Sequence, residues 1–283
     1  MHDSGSLPLT RTPHATTDVL YHPSYQFSTP VVSLSTKTQD GMDLVFKGKQ
    51  DGAGLSSDGK LTYDGGNFKV VTSLAQHGGV GLALTGKRVV PGLNVTLSGS
   101  LPDGANSGKV AVEYASSDVV GVKASSSLSA SPVVDVSVGG RVDMGGRDVL
   151  LGAQGGYDAS KGAVRGWKVA FGYTHAGDYQ LAGSVNDKKD VCVQMSRTVE
   201  GDVVLGGEVV RNVASSETSM AVGVVRKLGS GATQRVKVQH TGVVSVVHET
   251  ALDGNSKVAV SGQFDAKDLS VAPKYGLSLD FKY

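Results

Sequence analysis

From about Thr29 to Tyr283 apolar and polar residues alternate in short runs, and the runs stop at turn-forming residues. Val258, Val260, Gly262 and Phe264 interleave with Lys257, Ala259, Ser261, Gln263 and Asp265. Trp167, Val169, Phe171 and Tyr173 interleave with Lys168, Ala170, Gly172 and Thr174. Leu93, Val95 and Leu97, then Leu277, Leu279 and Phe281, do the same. A period of two is the signature of strands that present one apolar face and one polar face. Between the runs stand Gln39-Asp40-Gly41, Ser57-Asp58-Gly59, Asp64-Gly65-Gly66, Pro102-Asp103-Gly104, Asn186-Asp187-Lys188, Glu200-Gly201-Asp202 and Leu252-Asp253-Gly254-Asn255. Such Asp-Gly and Gly-Gly pairs supply the positive φ of tight hairpin turns.

Counting runs between turns predicts about nineteen strands. Some 255 residues divided among them leave about 13 each, a strand of about 10 plus a short turn. No run of 10 or more residues reads as a helix within this region, so the crossover helices of a parallel α/β sheet are missing. The expected fold class is all-β: a transmembrane β-barrel of about 19 strands. Residues 29–283 form the barrel, and residues 1–28 form an amino-terminal segment with a short helix inside the pore. Pro13 and Pro23 bracket the helical stretch Pro13–Tyr21, proline being tolerated at a helix start and disruptive just past its end.

Composition narrows this further. Glycine is abundant, at 39 residues, and mean hydropathy is only −0.06. A membrane barrel looks soluble by that average, because only every second strand residue meets lipid. No run of about 18 apolar residues exists that could form a transmembrane helix. Tyr63, Tyr114, Tyr157, Tyr173, Tyr179 and Tyr283 fall near strand ends, as in an interfacial aromatic girdle. The amino terminus, Met1-His2-Asp3-Ser4-Gly5-Ser6, has neither a basic nor an apolar leader region, which predicts synthesis and retention on the cytosolic side of the secretory system.

Charge is balanced, 27 Lys+Arg against 26 Asp+Glu, which excludes the basic excess of a nucleic-acid binder. The single cysteine, Cys192, excludes a disulfide framework and reads as a small strand side chain. Gly81-Leu82-Ala83-Leu84-Thr85-Gly86-Lys87 approaches a phosphate-binding loop, but Arg88 stands where Ser or Thr would hold magnesium, and the run alternates like a strand. Asn94-Val95-Thr96, a glycosylation acceptor by pattern, falls within a strand. The seven histidines form no His-x-x-x-His pair, and no Gly-x-Ser-x-Gly elbow occurs. Neither a resident metal nor a cofactor is expected, and the chain does not read as an enzyme.

Strand phase assigns side chains to faces. Val258, Val260, Leu277, Leu279, Trp167, Val169 and Phe171 should face lipid. The basic residues of the opposite, lumenal phase are Lys47, Lys49, Lys69, Lys109, Lys123, Arg141, Lys168, Arg235, Lys237, Lys257 and Lys282. The acids of that phase are Asp43, Glu113, Asp135, Glu208, Asp265 and Asp280. Eleven cations against six anions predict a lumen excess of five positive charges, with Asp58, Asp64, Asp103 and Glu200 left in turns.

Several segments, taken in order, resemble the voltage-dependent anion channel (mitochondrial porin) family over nearly the whole chain. Asp18-Val19-Leu20 with Tyr25-x-Phe27 resembles the end of that family's amino-terminal helix and its linker. Leu34–Gly41 is similar to its first hairpin, Val185-Asn186-Asp187 to one of its turns, and Asp265–Phe281 to its last hairpin. The resemblance implies nineteen strands, with the first (near Val32–Lys37) pairing parallel to the last (near Gly276–Lys282) and the amino-terminal helix inside the pore. It implies a sorting signal at Lys274, Gly276, Leu279 and Phe281, and a nucleotide contact at Gly92, Leu93 and Asn94, where Asn94 replaces the family's lysine. The family's glycine-rich linker appears as Ser24-Tyr25-Gln26-Phe27-Ser28, and its membrane-facing glutamate has no counterpart in Phe68–Gln76. The function implied is a voltage-gated, weakly anion-selective pore of the mitochondrial outer membrane. It would pass ions and small metabolites such as ATP and ADP, with membrane lipid around it and copies of itself or other outer-membrane proteins as partners. The alternative is the protein-import pore of the same membrane, a related barrel with a longer amino-terminal extension.

Overall fold

In the computed structural model, the described residues are 18–27, 30–38, 40–51, 54–102, 107–116, 119–175, 179–229 and 231–283. They form nineteen strands. These are β1 (Val31–Lys37), β2 (Met42–Asp51), β3 (Gly54–Asp64), β4 (Phe68–Ala75), β5 (Val80–Val90), β6 (Leu93–Leu101), β7 (Lys109–Ser116), β8 (Val120–Ser127), β9 (Val133–Asp143) and β10 (Arg147–Asp158). They continue as β11 (Ala163–His175), β12 (Tyr179–Asn186), β13 (Asp190–Glu200), β14 (Val203–Asn212), β15 (Thr218–Lys227), β16 (Thr233–Gln239), β17 (Val243–Ala251), β18 (Ser256–Asp265) and β19 (Lys274–Lys282).

Every strand pairs antiparallel with its sequence neighbours, except that β1 also pairs parallel with β19, Val31 opposite Ser278 through Ser35 opposite Lys282. An odd number of strands closes a ring only through one such parallel pair. Closure leaves no open edge, so every strand's backbone groups find partners, the condition for crossing a bilayer without helices. Among the described residues no helix is long and apolar enough to cross a membrane; here the strands do so.

The two faces differ as the alternation requires. The outer band holds Leu84, Leu97, Val169, Phe171 and Val260, each about half exposed to solvent in the isolated chain. Their cross-strand partners, such as Val258 with Leu279, Val260 with Leu277 and Val169 with Val185, stand on the same face. Tyr63, Tyr114, Tyr173 and Tyr179 point outward at one rim, where β3, β7 and β11 end and β12 begins, and Tyr157 points outward near the other.

The expected turn at Ser57-Asp58-Gly59 is not there. These residues run through the middle of β3, with Asp58 opposite Lys47 and Gly59 opposite Phe46. Gly59 has no positive φ; a Cβ on it would lie 3.1 Å from the Phe46 ring. This Asp-Gly pair therefore makes room for an aromatic ring and bends nothing. Of the expected helix Pro13–Tyr21, Asp18–Leu20 are helical and Tyr21 follows as a bend, while residues 13–17 lie outside the described residues. Asp103 and Gly104 lie outside them as well.

Candidate pore lining and docked amino-terminal segment

The segment from Asp18 to Phe27 lies against the polar face of β14, β15, β16, β18 and β19. Val19 and Leu20 are fully buried and cluster with Ala221 and Val225, with Val204 packed alongside. They come this close because the wall beneath them is glycine. A Cβ on Gly223 would lie 2.8 Å from Val19 Cγ1 and 3.1 Å from Leu20 Cδ2, and one on Gly206 would lie 3.0 Å from Val19 Cβ. Gly276 likewise leaves room for the Gln26 carbonyl, which also accepts a hydrogen bond from the Ser261 hydroxyl.

Polar contacts fix the segment's orientation. Asp18 pairs with the Arg235 guanidinium at 3.5 Å, and Arg235 pairs in turn with Glu249 at 3.3 Å. Lys257 reaches Glu249 from the far side at 3.7 Å. Lys237 donates to the Leu20 carbonyl at 3.1 Å, with its ammonium 4.7 Å from the centre of the Tyr21 ring. The Tyr21 hydroxyl donates to Glu208, which also accepts from Gln194 and lies 3.7 Å from Cys192 Sγ. Tyr25 donates to the Val19 carbonyl at 2.9 Å and its backbone N–H to the His22 carbonyl at 3.0 Å, folding the linker back on itself. Burial pushes the Tyr25 phenol up to about 12. His22 sits 3.5 Å from Asp18, which favours its protonated form, yet its pKa is held below the ordinary value: burial acts first and the nearby Arg235 second, and together they outweigh Asp18 and Glu249.

Register places all eleven basic residues singled out from strand phase on the face that holds the segment. Lys47 and Lys49 stand opposite Ser33 and Val31, and Lys69 opposite Thr85. Lys109 stands opposite Ser98, Lys123 opposite Glu113, Arg141 opposite Leu150, Lys168 opposite Gln154, Lys257 opposite Asp280 and Lys282 opposite Ser35. Arg235 and Lys237 touch the segment itself.

Strand phase missed several charges because they sat at strand ends or in supposed turns. Lys37, Lys60, Lys87, Arg165, Lys227 and Lys274 share this face, as do Asp58, Asp64, Asp143, Asp148, Asp158, Asp190 and Glu249. Among the described side chains seventeen strand cations then face thirteen anions, so the excess falls from the expected five to four. Many pair locally: Lys87 with Asp64 at 2.5 Å, Lys123 with Glu113 at 2.5 Å, Arg141 with Asp148 at 2.8 Å. The side of the wall away from the segment carries a shallow cleft of about 670 Å³ lined by Lys47, Asp58, Lys60 and Ser73.

Gly92, Leu93 and Asn94 do not form one polar site. Gly92 makes the β5–β6 turn with φ +81°, and Leu93 pairs with outward-facing Tyr114. Asn94 faces inward opposite Glu113, and its side-chain carbonyl accepts the backbone N–H of Arg88 at 2.9 Å, steadying a bulge in which Arg88 has φ +51°. In β19, Leu279 and Phe281 face outward while Lys274 and Gly276 face inward. Among the described residues no cluster of His, Cys, Asp and Glu has metal-ligand geometry.

Comparison with known proteins agrees with this architecture. The family model described as "Eukaryotic porin" matches residues 13–276. Mitochondrial outer membrane protein porin 3 of Arabidopsis thaliana is 26% identical over 251 residues, 88% of this chain and 89% of that protein. Porin 5 of Oryza sativa subsp. japonica is 26% identical over 257 residues, 88% of each chain, and porin 4 of Arabidopsis thaliana 23% identical over 251 residues, 88% and 89%. A solved mutant of the Rh. blastica porin superposes with a TM-score of 0.28 at 13% identity, covering 85% of this chain and 84% of that one, too loosely to add to the argument. The chain belongs to the eukaryotic porin family and is a pore-forming β-barrel of the mitochondrial outer membrane, passing ions and metabolites.

Proposed function

We propose that this pore is weakly anion-selective, that it admits phosphorylated metabolites such as ATP and ADP, and that voltage closes it by acting on the docked segment and the charges that hold it. The segment 1–28 then serves as the movable element and residues 29–283 as the pore wall. The observation that carries the selectivity is the surplus of cations on the polar face, with the eleven named basic residues as the pore lining. A wide charged lumen selects by concentrating counter-ions, with no need to strip their hydration. The described part of the segment, Asp18–Phe27, lies against strands between β14 and β19, and Lys47, Lys49, Lys60, Lys69 and Lys109, which have no ion-pair partner among the described residues, stand on β2, β3, β4 and β7, where they can meet permeating anions.

An excess of four, reduced to three by Asp18, supports a weak preference only. It should fade as salt rises, since the Debye length is about 10 Å at 0.1 M and about 3 Å at 1 M. Lys274, Gly276, Leu279 and Phe281 are proposed to direct membrane insertion, Leu279 and Phe281 offering an apolar outer face. Reversal potentials of the purified channel in a KCl gradient test the selectivity: a negative-ion preference at 0.1 M that shrinks at 1 M is expected. Cation selectivity at low salt would overturn it.

A further inference from the structure

The strand cations divide by chemistry between the two faces. On the inner face they are lysines, apart from Arg141, Arg165 and Arg235, and all three of those are ion-paired to wall carboxylates. Bulge residues aside, the outward-facing strand cations are Arg147, Arg197, Arg211 and Arg226. No carboxylate stands on the outward face among the described strand side chains, and no described acid pairs with these four arginines. An unpaired arginine on a lipid-facing wall calls for an anionic partner, and its planar fork fits the two oxygens of a phosphate better than an ammonium does.

Two of the four belong to one continuous row. Arg147 stands opposite His175, His175 opposite Tyr179, and Tyr179 opposite Arg197. The row crosses four neighbouring strands, β10 to β13, at about 4.8 Å per step. Among the described residues His175 Nδ1 is buried without a hydrogen-bond partner, and its ring lies 6.2 Å from that of Tyr179, which packs on Tyr173 at 5.6 Å. Interfacial tyrosines mark headgroup depth. One step deeper into the membrane, the next outward row on the same strands is Val149, Tyr173, Leu181 and Met195. A cationic row sits directly over an apolar one, the polarity profile of a phospholipid lying along the wall.

We infer that Arg147, His175, Tyr179 and Arg197 form a docking row for the phosphate of an anionic phospholipid, whose acyl chains lie over Val149, Leu181 and Met195. The two arginines grip the phosphate oxygens while their methylene stems stay on the apolar wall. Tyr179 caps the site between them. The inference concerns the outer wall and stands or falls apart from the selectivity of the lumen.

The chain has a single tryptophan, Trp167, so Trp167→Phe with Leu181→Trp gives full-length protein whose only indole reports on the lipid beneath the row. In vesicles mixing phosphatidylcholine with phosphatidylglycerol, quenching by brominated phosphatidylglycerol should exceed quenching by brominated phosphatidylcholine several-fold relative to their bulk ratio. An arginine near an anionic surface contributes about a five-fold preference. Adding Arg147→Gln and Arg197→Gln should therefore bring the ratio down at least three-fold, with strand content by circular dichroism unchanged. Arg147→Lys with Arg197→Lys, which keeps the charge, should retain most of the preference. The inference fails if the parent reporter shows no enrichment, if the glutamine pair leaves it intact, or if the lysine pair is as poor as the glutamine pair. Loss of enrichment when inorganic phosphate replaces chloride at equal ionic strength would identify a soluble-phosphate site and overturn it too.

Discussion

Replacing Leu20 with alanine should release the amino-terminal segment from the wall. Leu20 is 1% exposed and rests on Gly223, with Ala221 and Val225 alongside. The change removes three carbons, about 0.8 kcal/mol each by transfer, or about 2.4 kcal/mol. The site opens onto water in the lumen, so the vacated space can fill, and the extra penalty of an empty cavity is small. A loss of about 2.4 kcal/mol weakens docking roughly 60-fold. Asp18→Asn makes the comparison sharp. Its carboxylate side chain is 47% exposed and pairs with Arg235 at 3.5 Å, the kind of exposed pair worth about 0.5 kcal/mol, or about two-fold. Cys192, the chain's only thiol, reports the result without engineering, since it is half-buried and shares Glu208 with Tyr21 of the docked segment. Labelling by a water-soluble thiol reagent should accelerate strongly in Leu20→Ala and barely in Asp18→Asn. If Asp18→Asn released the segment as fully as Leu20→Ala, apolar packing would not be what holds it. If neither did, the docked geometry itself would be wrong.

Val260→Arg puts a charge on the lipid face at a cost of about 2–4 kcal/mol and should lower the yield of assembled barrel in vesicles, whereas Ala111→Arg, on the inner face opposite Thr96 and Ser125, should assemble normally. Ser261→Arg, which strand phase alone would offer as the tolerated control, is unsuitable because Ser261 is 4% exposed beneath the Gln26 carbonyl. Asp58→Lys should move the reversal potential toward anions and Lys60→Glu toward cations, because both side chains line the inner cleft; no change from Asp58→Lys would return that residue to a turn. Gly223→Ala should accelerate Cys192 labelling, since the new methyl would meet Val19 at 2.8 Å. Acidification should loosen the segment. The docked state holds the His22 pKa below the free value of about 6.5, so docking is at full strength above that value and weakens as pH falls through it toward the docked pKa. His22→Gln should abolish this response, read as the voltage at which the channel closes between pH 7.5 and 5.5.

How much of this was legible in the sequence depends on whether a residue's role is set by period or by partner. Strand number, the outward face of Val258, Val260, Leu277, Leu279, Trp167, Val169 and Phe171, and the shared opposite face of the eleven basic residues follow from a period of two, whereas the parallel closure of β1 on β19 came with the family resemblance. A one-residue slip in a half-buried strand exchanges its two faces, so the alternation cannot be read wrongly by one residue without putting charge in lipid. Turn chemistry was a poorer guide. Asp64-Gly65-Gly66 bends because Gly66 takes φ +81° and the Asp64 carboxylate accepts the Gly66 N–H. Asp58-Gly59 has the same letters and stays extended, because there the glycine answers the Phe46 ring on the neighbouring strand. Local sequence does not distinguish a glycine needed for its backbone from one needed for its missing side chain.

The same ambiguity hid the segment's cradle. Gly206, Gly223 and Gly276 look like three of 39 glycines in a glycine-rich barrel, and only the path of a distant stretch, Val19 to Gln26, gives them a shared purpose. Asp18 and Arg235 are likewise separated by over two hundred residues and meet only because the chain start folds back inside the ring. This bears on charge. Phase alone gave five surplus lumenal cations by counting strand residues as independent. The structure instead uses Arg235 and Lys237 to hold the segment, and pairs Lys87, Lys123, Arg141 and Lys257 with carboxylates of the wall. The described lysines without an ion-pair partner, Lys47, Lys49, Lys60, Lys69, Lys109 and Lys168 among them, are the cations left to act on a passing anion. Release of the segment would then change the pore twice over, by widening it and by freeing Arg235 and Lys237 to face the lumen. On this reasoning Leu20→Ala should raise anion preference as well as conductance. A channel that widened with no shift in reversal potential would show that those two cations stay occupied by Glu249 and Glu208 when the segment leaves.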